Sequence, residues 1–190
     1  VKELRERTGA GMMECKKALV ETGGDLEAAV ENMRKAGLAK ADKKSGRVAA
    51  EGMVAISTSD DGGRAALVEI NCETDFVANT DQFQELAHDL AMQIVAAKPL
   101  YLAPEDVPAE VVEEEKANYR AEMKDSGKPE EILDRIVEGK LKKYYEEICL
   151  MEQPFIKDTA ITVRELVQQH NALLGENIVV RRFVRFEIGG

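Results

Sequence analysis

The side chains able to do covalent chemistry are few. His88 and His170 are the only imidazoles, and Cys15, Cys72 and Cys149 the only thiols, in a chain of 190 residues. Neither histidine has a second ligand three or four residues away, so no zinc helix is expected. Cys72 and His88 could form a thiol–imidazole pair. Cys72, however, continues the apolar face of a strand-like run, where a buried, inert thiol is the ordinary outcome. Thr8-Gly9-Ala10-Gly11 is glycine-rich but lacks the Gly-Lys-Ser/Thr that completes a phosphate loop. Glu73, Asp75 and Asp81 lack the ligand spacing of a calcium loop. The expectation is therefore a protein with no catalytic set, metal or cofactor, one that acts by contact.

Action by contact needs an apolar side chain held out on a rigid support. Asn71-Cys72-Glu73-Thr74-Asp75-Phe76-Val77-Ala78-Asn79-Thr80-Asp81 offers one, since Phe76 stands beside Asp75 in an acidic, polar connector. Loops carry function more often than the elements they join. On residue type alone Phe76 has two readings: a core residue tucked under the next helix, as Phe prefers, or a ring presented to a partner while Asp75 orients it.

Charge narrows the partner. Lys plus Arg total 26 against 36 Asp plus Glu, a net charge of −10. Nucleic acid as the main ligand is disfavoured, because phosphate binding needs clustered cations. Residues 1–50 hold 11 basic and 8 acidic groups, and residues 51–100 hold 2 and 9, so a mildly basic start leads into an acidic middle. Three widely spaced cysteines without a Cys-x-x-Cys fit a reducing compartment. No apolar run approaches the roughly 20 residues of a membrane span, and Val1-Lys2-Glu3-Leu4-Arg5 lacks the apolar centre of a signal peptide.

The elements that would position the connector are legible from period and punctuation. Lys2–Thr8, Met12–Glu21 and the run from Leu26 to Gly37 predict three short helices, separated by Gly9–Gly11 and by Thr22-Gly23-Gly24-Asp25. Gly37 is expected to close the third, and Lys40–Gly46 to form a charged linker with its hinge at 41–46. Gly52–Thr58 and Ala65–Cys72 predict an antiparallel hairpin, with Ala66, Val68, Ile70 and Cys72 on one face. Phe83, Leu86, Ala87, Leu90, Ala91 and Ile94 form the stripe of an amphipathic helix ending at Lys98-Pro99, capped by Thr80 or Asp81. Residues 108–152 predict a helical hairpin turning at Asp125–Pro129, with Ile132 and Leu141 in its seam and Glu113–Glu115 on a solvated face. A helix over Thr162–Ala172 and a final strand over Ile178–Ile188, bearing Arg181, Arg182 and Arg185, complete a three-stranded antiparallel sheet. The fold class is α+β. The expected domains are 1–38 (three-helix module), 39–50 (linker) and 51–190 (core).

Three motifs, in order along nearly the whole chain, resemble bacterial elongation factor Ts. They are Leu4-Arg5-x-x-Thr8-Gly9-Ala10-Gly11-Met12-Met13 with Lys16-x-Ala18-Leu19, then Asn71-Cys72-Glu73-Thr74-Asp75-Phe76-Val77, then Gly175-Glu176-Asn177-Ile178 with Arg181-Arg182. The resemblance implies a guanine-nucleotide exchange factor that binds elongation factor Tu and promotes GDP release. It implies a ubiquitin-associated-like N-terminal domain, a dimerisation-type core, and action without enzymatic chemistry in the bacterial cytoplasm, or in an organelle matrix or stroma. It assigns Asp75 and Phe76 as the working pair that disturbs the partner's magnesium site, Thr74 and Val77 as their support, and Met12 and Met13 as an N-terminal contact. Longer members repeat the core subdomain, whereas this chain holds one strand–strand–helix core and one final strand; a homodimer through 176–188 is the corresponding expectation. The competing reading is a non-catalytic adaptor that binds through its N-terminal helices.

Overall fold

The computed structural model describes the backbone of residues 1–190 and every side chain except those of Leu38, Lys40, Ala41, Asp42 and Lys43. The chain runs α1 (Lys2–Thr8), α2 (Met12–Glu21), α3 (Leu26–Lys44), β1 (Glu51–Thr58), β2 (Arg64–Cys72), α4 (Asp75–Ala78), α5 (Asp81–Ala97), α6 (Ala109–Glu122), α7 (Glu130–Ile148), β3 (Pro154–Phe155), β4 (Asp158–Thr162), α8 (Val163–Leu174) and β5 (Val179–Glu187). Strands β1, β2 and β5 form a three-stranded antiparallel sheet in that order, and β3 and β4 a two-stranded one, so the α+β class holds.

In space the chain divides into two units. The first is Val1–Ala55, Val68–Asp89 and Glu165–Arg181; the second is Ile56–Leu67, Leu90–Arg164 and Arg182–Gly190.

The first unit begins with α1, α2 and α3 around a small core of Leu4, Cys15, Ala18 and Ala29, flanked by Leu19, Leu26, Val30 and Met33. Gly9 ends α1 in the left-handed conformation at φ 67°, with its amide on the Arg5 carbonyl, the usual role of a glycine at a helix C-terminus. Asp25 starts α3 by accepting the Ala28 amide at 3.0 Å. The expectation that Gly37 closes this helix is corrected: α3 continues to Lys44. A Cβ on Gly37 would lie 3.4 Å from the Ala172 methyl of α8. Gly37 is therefore where two helices come close, a packing role that offsets its helix penalty of about 1 kcal/mol. Arg34 ties the same two helices by an ion pair to Glu165 at 3.1 Å. The linker expected over Lys40–Gly46, with its hinge at 41–46, is corrected with it, since α3 takes in that segment as far as Lys44; the side chains of 40–43 lie outside the described residues.

The strand face expected of β2 is buried throughout, with Ala66, Val68, Ile70 and Cys72 at 0% exposure, as are the six stripe residues of α5. Gly52 of β1 has φ 146°, and a Cβ there would fall 2.0 Å from the Ile70 carbonyl oxygen; only glycine lets the two strands approach at this point.

In the second unit α6 and α7 form the expected helical hairpin. Arg120 bonds Asp134 at 2.8 Å, Lys140 bonds Glu122 at 2.6 Å and Lys140 lies over the Tyr119 ring. Its base packs Val107, Ile148 and Cys149 with Tyr101, Val111, Tyr144 and Tyr145. Ile132, expected in the seam, is exposed; Val137 and Leu141 are the buried residues of α7 nearer the base. The β3–β4 pair was not expected from sequence. Its short strands join buried Gln93 and Gln153, where Gln93 accepts the Ile156 amide at 2.8 Å and donates to the Pro154 carbonyl at 3.1 Å.

Candidate functional site

The candidate partner-contact residues all lie in the first unit: Met12 and Met13 on α2, Asp75, Phe76 and Val77 on the short helix α4, and Thr74 immediately before it. Four residues make too short a helix to hold by itself, so its two ends must be fixed from outside, and both are. Thr74 is the N-cap, in extended conformation, with its side-chain oxygen accepting the Val77 amide at 3.4 Å. At the other end the Asn79 amide group donates to the Asp75 carbonyl at 2.9 Å and the Thr80 hydroxyl donates to the Val77 carbonyl at 2.7 Å. Thr80 also caps α5, accepting the Phe83 amide at 3.3 Å. Of the two capping candidates, Thr80 is thus the one used.

The N-terminal side of α4 is held by a reciprocal pair of carboxylates. One oxygen of Glu176 accepts the amides of Glu73 and Thr74 at 3.1 and 3.0 Å, and the other accepts the Thr74 hydroxyl at 2.7 Å. In return Glu73 accepts the Asn177 amide at 3.0 Å. Asn177 is buried and donates to the carbonyls of Ser45 and Arg47. Hydrogen bonds to a charged group contribute about 1.5–3 kcal/mol each, so α4 is anchored far more strongly than its length suggests. Just before it, buried Asn71 links the strands, donating to the Glu51 carbonyl and accepting from the Arg181 guanidinium at 2.9 Å.

On this support Phe76 is 82% exposed and Asp75 is exposed beside it, while Thr74 and Val77 are half-buried. Of the two readings of Phe76, the exposed ring is the one observed: it faces solvent because Cys72 and Val77 turn inward and the caps fix the phase of α4. Met12 and Met13 are 61% and 75% exposed on the first turn of α2. The Gly9–Gly11 turn that precedes α2, with Met33 and Leu173, lines an open cleft of about 280 Å³.

The thiols are not placed for chemistry. All three are buried. Cys72 donates to the Thr74 carbonyl at 3.1 Å, and burial, with the nearby Glu176 charge, pushes its pKa up to about 11. Burial does the same to Cys149. His88 is exposed on α5 and His170 contacts the Leu166 carbonyl within α8. Among the described residues no three His, Cys, Asp or Glu side chains gather as a metal-binding group, and no helix is long and apolar enough to cross a membrane.

A family model for elongation factor TS matches residues 84–190. Elongation factor Ts of Heliobacterium modesticaldum is 58% identical over 189 residues, covering all of this chain and 88% of that protein. The chain belongs to the elongation factor Ts family. Elongation factor Ts of Carboxydothermus hydrogenoformans is 57% identical, with 87% of its length covered, and that of Moorella thermoacetica 56%, with 93% covered. By family the chain is a translation elongation factor of protein biosynthesis.

For this member of the elongation factor Ts family, sequence reasoning found the exposed residues and missed what holds them. Glu73 and Glu176 are 103 positions apart, and neither carries a local signal of pairing. Glu176 follows Gly175, which ends α8 at φ 77°, and its place in the third motif does not show in one dimension what it bonds.

Proposed function

We propose that this chain is a guanine-nucleotide exchange factor that binds elongation factor Tu·GDP and promotes GDP release, with Asp75 and Phe76 as the working pair. The observation that carries the reading is the exposure of Phe76 on a helix pinned at both ends. Leaving a Phe side chain in water forgoes roughly 1.5–3 kcal/mol of burial, and a rigid mount keeps the ring from folding back. Such a ring is suited to wedge into a partner. In the family reading the wedge enters the GTPase domain beside its magnesium, where the cation and the phosphate cradle neutralise most of the charge on GDP.

Exchange then follows from linkage. A protein that binds the nucleotide-free partner more tightly than the GDP-bound one weakens GDP by the same factor. No acid, base or nucleophile from this chain is required. Met12 and Met13 form a second, apolar contact. Residues 1–38 act as the ubiquitin-associated-like docking domain and 51–190 as the dimerisation-type core, joined by 39–50. Homodimerisation through β5 is supported by the exposed row Val184, Phe186 and Ile188. The site of action is the compartment of translation, the bacterial cytoplasm in the simplest case.

The test is affinity for elongation factor Tu in two states. Titration calorimetry should give markedly tighter binding to the nucleotide-free form than to the GDP form. Equal affinity for the two would remove the basis for exchange.

A further inference from the structure

We infer that Glu176 is a positioning residue for the exchange site, acting through Thr74 to set the presentation of Phe76; this rests on the exchange-factor reading. Glu176 acts through its carboxylate. Ionised, it has acceptor sites only. Three donors converge on Glu176: the amides of Glu73 and Thr74 on one oxygen and the Thr74 hydroxyl on the other. The 2.7 Å hydroxyl contact fixes where the Thr74 proton points, and a hydroxyl whose proton is committed turns its lone pairs elsewhere. One of them meets the Val77 amide, the first bond of α4. Glu176 thus decides the rotor of the N-cap, and the N-cap decides the entry angle and phase of the turn bearing Phe76.

The reciprocal bond from the Asn177 amide to Glu73 holds Glu176 itself in register. Asn177 is anchored in turn by the carbonyls of Ser45 and Arg47. The exposed ring is therefore referred through Thr74, Glu176 and Asn177 to the segment between α3 and β1. None of these residues offers an exposed apolar surface to a partner, so their effect on exchange is one of geometry.

The test uses the full chain and two readouts. In amide hydrogen exchange, Glu73 and Thr74 should be protected in the wild type and lose protection in Glu176→Ala, while Ile70 and Leu86 stay protected. In GDP release from elongation factor Tu, Glu176→Ala should lower the saturating rate by about tenfold, the scale of one lost hydrogen bond to a charged group. The concentration giving half the maximal rate should change much less. Glu176→Gln, whose one acceptor oxygen cannot serve both the backbone amides and the Thr74 hydroxyl, should fall between the wild type and Glu176→Ala. Thr74→Val keeps the shape and should reproduce the rate loss, which covers the case in which Glu176→Ala fails to fold. An unchanged saturating rate in both Glu176→Ala and Thr74→Val, or unaltered protection at Glu73 and Thr74, would overturn the inference. So would equal loss of protection across the whole first unit in Glu176→Ala with a normal rate in Thr74→Val. If the wild type itself fails to accelerate release, the exchange-factor reading falls, and the amide pattern still reports on the clamp separately.

Discussion

The Thr80 hydroxyl donates to the Val77 carbonyl at 2.7 Å and so couples the end of α4 to the start of α5. With the same oxygen accepting the Phe83 amide, one small side chain closes two helix ends that would otherwise leave groups unpaired. The four-residue turn becomes an extension of a seventeen-residue helix. Phe76 projects from that extension, and its consequences for function and for stability separate cleanly.

Phe76→Ala removes a ring that contributes little to the fold. Its thermal and urea unfolding should differ from wild type by no more than about 0.5 kcal/mol, as for exposed substitutions generally. GDP release at saturating protein should fall roughly 10- to 100-fold, the size of a binding hot spot. A large loss of stability with normal exchange per folded molecule would mark Phe76 as structural.

Met12 and Met13 lie on a different element, and their loss should have a different kinetic signature. The double change to Ala removes apolar contact worth about 1 kcal/mol or more. The half-saturating concentration for exchange should rise about tenfold while the maximal rate changes little. A fall in maximal rate at unchanged affinity would place the methionines in the exchange step itself.

Much of this arrangement is legible in one dimension because it is periodic. The alternation of Ala66, Val68, Ile70 and Cys72 and the stripe from Phe83 to Ile94 are burial patterns written by a single element. Gly37 misleads for the opposite reason. A glycine that ends a helix and a glycine that lets a second helix approach look the same until Ala172 is in place. The Glu73–Glu176 pair, Gln93 with Gln153, and the β3–β4 strands depend on partners remote in sequence or on strands too short to show a period. The exposure of Phe76 lies between these cases: residue type alone favours the core, and only the caps at Thr74 and Thr80 decide the phase.

Gly52→Ala tests the strand packing that carries the site. The added Cβ would meet the Ile70 carbonyl oxygen at 2.0 Å, at a φ of 146° that L side chains rarely adopt. Destabilisation of about 3 kcal/mol or more is expected, read as a shift of the urea midpoint. A midpoint within error of wild type would mean that the strands can separate there at no cost.

The thiols give a pH signature. Cys72 and Cys149 titrate near 11 in the folded chain against an ordinary value of 9.0, because burial disfavours the thiolate. The folded state therefore holds these protons more tightly. Their contribution is fully present below about 9 and is lost as pH rises towards about 11. The urea midpoint should fall over that window, and less so in a Cys72→Ala, Cys149→Ala variant. At pH 8 the native protein should resist iodoacetamide at both positions, since about one thiol in a thousand is ionised, and should label fully in urea. Rapid labelling of the native chain at Cys72 would contradict the buried, inert assignment.

The central claim is exchange by contact, and stopped-flow release of a fluorescent GDP from elongation factor Tu tests it most directly. With excess unlabelled nucleotide, the release rate should rise with the concentration of this chain to a plateau far above the spontaneous rate. A release rate that stays at the spontaneous value through saturating protein would contradict the account.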